Sequence, residues 1–173
     1  MGNAKWGDSM INAYEPERWH ELYVMLGGSL AALAGLLFVA MSIQIGVIRE
    51  AKHWRTRAFG NTFALIGLLI EAALVLVPQD RVALGIELIV ANLFLLLFVP
   101  VRAFIHLARL KADMPRLRLV AGIVAWLLGA LGGFSLIVEA GGGMYLVTAS
   151  ALALIWLGIL NAWSFITVGE EAG

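Results

Sequence analysis

The chain has 173 residues, 61% of them hydrophobic and only 14% charged, and its 12 basic residues are balanced by 12 acidic ones. A soluble domain carries about a quarter of its residues as charge, so the composition excludes an ordinary soluble fold and points to a polytopic membrane protein. The neutral balance leaves no basic surface for nucleic acid, and the absence of cysteine removes disulfides, thiolate catalysis and Cys-ligated zinc or iron–sulfur centres.

Residues 1–21 read as a polar, interfacial segment outside the membrane, with Trp6 and Tyr14 suited to the headgroup boundary. A secretory signal is not expected: the basic start is Lys5 alone, and the first apolar run is much longer than a signal core. Pro16 suits the first turn of a helix, where its missing N–H costs nothing. The first span, 22–48, carries Gly28, Ala32, Gly35, Val39, Ser42 and Gly46 at helical spacing. Small stripes of this kind mark close helix–helix contact in lipid, and this one extends back to Glu21 and Glu17.

The second span, 58–77, has the stripe Gly60, Ala64, Gly67 and then Glu71, which places that carboxyl against other helices. After the turn Pro78-Gln79-Asp80-Arg81, the third span, 82–101, puts Ala83, Glu87 and Ala91 on one face and Gly85 and Asn92 on another. Glu71 and Glu87 both lie roughly 10 Å below the turn, so they share a depth. Pro100 is expected to kink the end of this span, with Arg102, His106 and Arg109 continuing the helix. Pro115 opens the fourth span, 117–138, whose stripe is Gly122, Ala125, Gly129 and Gly132, followed by Leu136 and Glu139. The short link 139–143 makes the fourth and fifth spans antiparallel neighbours. The fifth, 144–168, carries Ser150, Gly158, Asn161 and Ser164 on one side and Trp156 and Trp163 on others.

The expected architecture is therefore all-α: a single transmembrane domain of five helices, each long enough to cross about 30 Å of hydrocarbon. The links between spans one and two and between three and four hold nine basic residues, against Lys5, Arg18 and Arg81 on the other side. That asymmetry predicts an N-terminus outside and a C-terminus inside.

Carboxylates concentrate at the outer end of the inward-facing stripes. Glu71, Glu87 and Glu139 form a candidate proton or cation site opening to the outside, with Glu71 and Glu87 expected to titrate as a coupled pair. The alternative is two neutral carboxyls that hydrogen-bond across the hairpin and fix its register. Glu17, His20 and Glu21 are a weaker candidate, for a metal, because Glu at i and His at i+3 project to one side of a helix. The remaining ligands would have to come from Glu139 or a second subunit, and an interfacial turn anchored by Trp19 and Tyr23 explains the same residues. His53 and His106 lie on the inner side, but at least one is in a loop, which disfavours a haem held between helices. No Ser-His-Asp set, Walker sequence, HExxH or phosphate loop occurs, so neither an enzyme nor a cofactor is expected.

The segment Ser29-Leu30-Ala31-Ala32-Leu33-Ala34-Gly35-Leu36-Leu37-Phe38-Val39-Ala40-Met41-Ser42, with Leu76-Val77-Pro78-Gln79 and Leu84-Gly85-Ile86-Glu87-Leu88, resembles a family of small bacterial integral membrane proteins. Its members are often labelled modulators of the FtsH membrane protease. The resemblance covers spans one to three, implies a multi-pass protein of the bacterial inner membrane, and favours Glu87 over Glu71. It supplies no catalytic residues. The expected function is a non-enzymatic accessory or regulatory subunit of a membrane complex. The alternative is a homo-oligomeric channel or transporter with its site at Glu71 and Glu87. Membrane lipids and a homo-oligomer or larger complex are the expected partners.

Overall fold

A computed structural model describes residues 13–43, 45–46, 52–98 and 116–171. The described chain is helical throughout, without strands. A short 3₁₀ turn, Pro16–Trp19, leads into α1 (His20–Ile43), followed by α2 (Lys52–Leu76), α3 (Arg81–Leu96), α4 (Arg116–Val138) and α5 (Met144–Glu171). Pro16 sits at the start of the 3₁₀ turn, and the α-helix proper begins only at His20. The predicted kink at Pro100, residues 102–109, Trp6, and the far ends of the first and third spans fall outside the described residues.

Four of the helices are long and apolar enough to cross a membrane: Pro16–Ile43, Ala58–Leu76, Leu117–Val138 and Met144–Trp163. At 1.5 Å per residue α3 covers only about 24 Å before Leu97 and Phe98 continue in a wider π turn. The outer surface of the bundle is as apolar as its inside. Leu117 is 83% exposed and Leu36 and Phe38 are each 69% exposed, a surface that only lipid or another membrane helix accommodates. The chain is a multi-pass membrane protein.

The short connections gather at one end, here called the turn end. Asp80 caps α3, its Oδ1 accepting from the backbone N–H of Val82 (2.8 Å) and Ala83 (3.0 Å). Between α4 and α5 the chain reverses through Gly141, Gly142 and Gly143, all with positive φ. The N-terminal segment is fastened onto this reversal: Met144 N–H donates to Ala13 O (2.8 Å) and Gly142 N–H to the Tyr14 hydroxyl (3.1 Å). A Cβ at Gly143 would lie 2.2 Å from that same Ala13 oxygen, so glycine is demanded by both conformation and contact.

Packing does not follow chain order. α3 makes its most extensive contact with α4, then come α4 with α5 and α1 with α2, whereas α2 and α3, joined by the tight turn, touch far less. The reason is a glycine crossing. A Cβ at Gly85 would lie 2.7 Å from the Gly133 oxygen, and one at Gly133 would lie 2.7 Å from the Gly85 oxygen, so the two backbones meet directly. Farther from the turn end, Asn61 and Asn161 tie α2 to α5, with Asn161 Nδ2 donating to Asn61 Oδ1 and Asn61 Nδ2 to Gly158 O, both at 3.5 Å.

The apolar core falls into two clusters. One, nearer the turn end, includes Tyr23, Leu26, Ala72, Leu88, Leu136 and Val147. The other includes Leu30, Leu68, Leu95, Trp126 and Ala151. On three helices a buried polar residue stands between the two: Glu71 between Leu68 and Ala72, Asn92 between Leu88 and Leu95, and Ser150 between Val147 and Ala151.

Candidate functional site

This polar layer is the candidate site. Glu71 is 1% exposed and Asn92 and Ser150 are fully buried. Glu71 reaches the layer because Gly67, one turn earlier on the same face, packs against Leu95 of α3. Asn92 reaches it because the buried face of α3 is Leu84, Gly85, Leu88, Asn92 and Leu95. That is the face of Gly85 and Asn92, not that of Ala83, Glu87 and Ala91.

Gly129 of α4 makes the room. A Cβ there would lie 2.1 Å from Asn92 Oδ1 and 2.9 Å from Ser150 Oγ. The donors of the layer are turned to backbone oxygens: Asn92 Nδ2 donates to Leu88 O (2.9 Å) and Ser150 Oγ to Ala125 O (2.7 Å). Asn92 stands beside the Glu71 carboxyl from α3, but not at hydrogen-bond geometry, so Glu71 Oε1 and Oε2 and Asn92 Oδ1 have no partner among the described residues. Three buried acceptor oxygens of this layer thus lack a hydrogen-bond partner among the described residues. Each unmet buried polar group costs about 1–3 kcal/mol, and an unpaired carboxylate costs several times more, so the layer is incomplete as it stands.

On the turn-end side of Glu71 lie two hydroxyls. Tyr23 of α1, 1% exposed, and Thr148 of α5 share a 3.3 Å hydrogen bond, and Tyr23 is within electrostatic range of Glu71. Tyr23 is three residues into α1, Thr148 four into α5, and Glu71 five from the end of α2. All three therefore sit about 5–8 Å from the helix ends.

The other two carboxylates go elsewhere. Glu87 is half-buried and accepts from Gln79 Nε2 (2.9 Å), which also donates to Leu74 O (3.0 Å), so this acid braces the turn. Glu71 and Glu87 share a depth but not a face, and the structure provides no contact between them. Glu139, at φ 53° just beyond α4, pairs with Arg81 across the turn end and is exposed. Glu17, His20 and Glu21 are all exposed at the bundle surface. Among the described residues, no three acid or histidine side chains stand close enough to hold a metal ion together, so the metal reading gains no support there or from Glu139. Trp19 is instead half-buried, edge-on to Tyr145 with ring centroids 4.7 Å apart. His106 and the side chain of His53 lie outside the described residues.

The small-residue positions divide in the same way. Gly67, Gly129, Gly132 and Gly158 lie against neighbouring helices, with Gly132 meeting Val147, and Gly60 is half-buried. Gly28, Ala32 and Gly35 do not pack within the chain. All three are exposed, and a Cβ at either glycine would meet nothing within 4 Å. α1 instead buries Tyr23, Leu26, Leu30 and Leu37, on the opposite side of the helix.

Sequence reasoning missed the roles of Asn92, Gly129 and Ser150 as one group, and missed Gly133. Its signal for the first three was present, as a buried-type polar residue and a glycine on facing stripes, but which stripes face one another is not a property of any single helix. No protein-family model, curated protein or solved structure matches the chain.

Proposed function

We propose that the chain is a five-span protein of the bacterial cytoplasmic membrane, with its N-terminus outside and its C-terminus inside. In this reading its bundle binds a proton or small cation at Glu71, as part of a homo-oligomeric channel or transporter. The observation that carries the proposal is the Glu71 carboxyl, held inside a membrane bundle with both oxygens unpartnered. Intramembrane carboxyls are costly and mark ion and proton paths by default. The basic loops set the orientation by the positive-inside rule, which makes the turn end the outer one. Weight moves from Glu87 to Glu71, because Glu87 already has a donor in Gln79. In vesicles reconstituted with the full chain, Glu71→Gln is expected to lower proton or cation flux at least tenfold or to abolish its pH dependence. Glu87→Gln is expected to change either by less than threefold. Equal flux in wild type and Glu71→Gln would refute the transport reading.

A second reading is a non-enzymatic accessory subunit, in keeping with the resemblance to the FtsH-modulator family. It is favoured by α1, which presents Gly28, Ala32 and Gly35 away from its own bundle, where a helix of another subunit can approach closely. On this reading Gly35→Leu is expected to lower the native mass of the gently solubilised complex without changing helix content. An unchanged mass would count against an assembly through α1.

A further inference from the structure

We propose, resting on the reading of Glu71 as a binding position, that Glu71, Asn92 and the Tyr23–Thr148 hydroxyl pair form a site for one exchangeable proton. The proton is held on the Glu71 carboxyl and reached from the turn end of the bundle. The chemistry of the layer selects this ligand. Among the described residues Glu71 Oε1 and Oε2 and Asn92 Oδ1 have no hydrogen-bond partner, while the Ser150 hydroxyl and one of the two Asn92 amide N–H groups are given to backbone oxygens. One proton on the carboxyl turns an acceptor into a donor, removes the buried charge and takes up no space.

A divalent ion needs about six oxygen ligands or more. Here Gly129 is pressed so closely on Asn92 and Ser150 that even a methyl group has no place. The 3₁₀ turn touches α2, but its Glu17 and Arg18 are exposed at the bundle surface, and the groups facing Glu71 come from the three helices packed against its own. α1 brings Tyr23, the one titratable group among them; α3 brings Asn92, with Glu87 bonded to Gln79; α5 brings Thr148 and Ser150, neither of which titrates. Tyr23 and Thr148 carry two hydroxyl hydrogens and share one hydrogen bond, so the pair can both give and accept. By helix position the two lie one to two residues nearer the turn end than the carboxyl, as positioning residues for the proton.

The test is infrared difference spectroscopy of the full chain in lipid, recorded across a pH titration. The expected result is a neutral carboxylic-acid carbonyl band that shifts down in D2O and disappears reversibly in one step as the pH rises. Glu71→Gln removes it and Glu87→Gln leaves it in place. Tyr23→Phe moves its midpoint by one pH unit or more, tenfold in proton affinity, with helix content unchanged. Should Glu71→Gln fail to assemble, the D2O shift and the titration of the wild-type band decide the matter without a variant.

Two outcomes overturn the inference, and they are distinguishable. A carboxylate signature at every pH together with stoichiometric binding of radioactive sodium makes the site a cation site, which sinks the proton but keeps Glu71 as a binding position. A neutral band that never responds to pH or D2O while the helices stay folded makes Glu71 a fixed structural acid, which removes both readings.

Discussion

Gly129→Ala is expected to destabilise the bundle by about 2–5 kcal/mol, since overpacking alone costs about 1–3 and each stranded polar group adds a comparable amount. The added methyl would fall 2.1 Å from Asn92 Oδ1, 2.7 Å from its Cγ and 2.9 Å from Ser150 Oγ. Neither side chain is free to retreat, because Asn92 is bonded to Leu88 O and Ser150 to Ala125 O. Moving either one leaves its backbone partner unsatisfied in a medium without water. Equilibrium unfolding in mixed micelles, followed by helical circular dichroism, measures the loss. Gly122→Ala on the same helix, where nothing lies within 4 Å, supplies the control and is expected to be neutral or slightly stabilising. Adding Asn92→Ala to Gly129→Ala should recover part of the loss, because the clashing group is then gone. If Gly129→Ala unfolds like wild type, the layer is not packed as described.

The crossing of α3 and α4 gives the second large effect. Gly133→Ala places a methyl 2.7 Å from the Gly85 oxygen and 3.1 Å from the Ile89 nitrogen, both backbone atoms, so relief requires the helix axes to separate. Gly67→Ala meets an even closer atom, Leu95 Cδ1 at 2.5 Å, but that atom ends a side chain that can turn. Gly133→Ala is therefore expected to cost about 1–3 kcal/mol and Gly67→Ala clearly less. The same unfolding measurement ranks them, and the reverse order would mean that α3 and α4 do not meet through their backbones.

These two glycines show where reading the sequence stopped. The helices, the tight turn at Pro78 and the glycine reversal before Met144 are local matters, set by apolar length, proline and positive φ, and they were legible. So was the inward direction of Glu71, because Gly60, Ala64 and Gly67 precede it at helical spacing. The pairing of Glu71 with Glu87 was reasoned from depth along a hairpin. By residue count the two acids fall at a similar depth, but α3 turns Glu87 aside toward Gln79 and brings Asn92 to the layer.

The stripe on α1 carries the same lesson with the opposite sign. Gly28, Ala32 and Gly35 look like a packing face, while the chain packs α1 through Tyr23, Leu26, Leu30 and Leu37. In water the apolar face of a helix is the buried face, and periodicity identifies it. In hydrocarbon both faces are apolar, and no hydrophobic gradient separates the core from the lipid. The sequence by itself therefore determined the number and order of the helices and the presence of an acid among them. Which stripe meets which, and hence that the acid lies in a layer of unpartnered oxygens with Asn92, was decided only by close backbone approach in the tertiary structure.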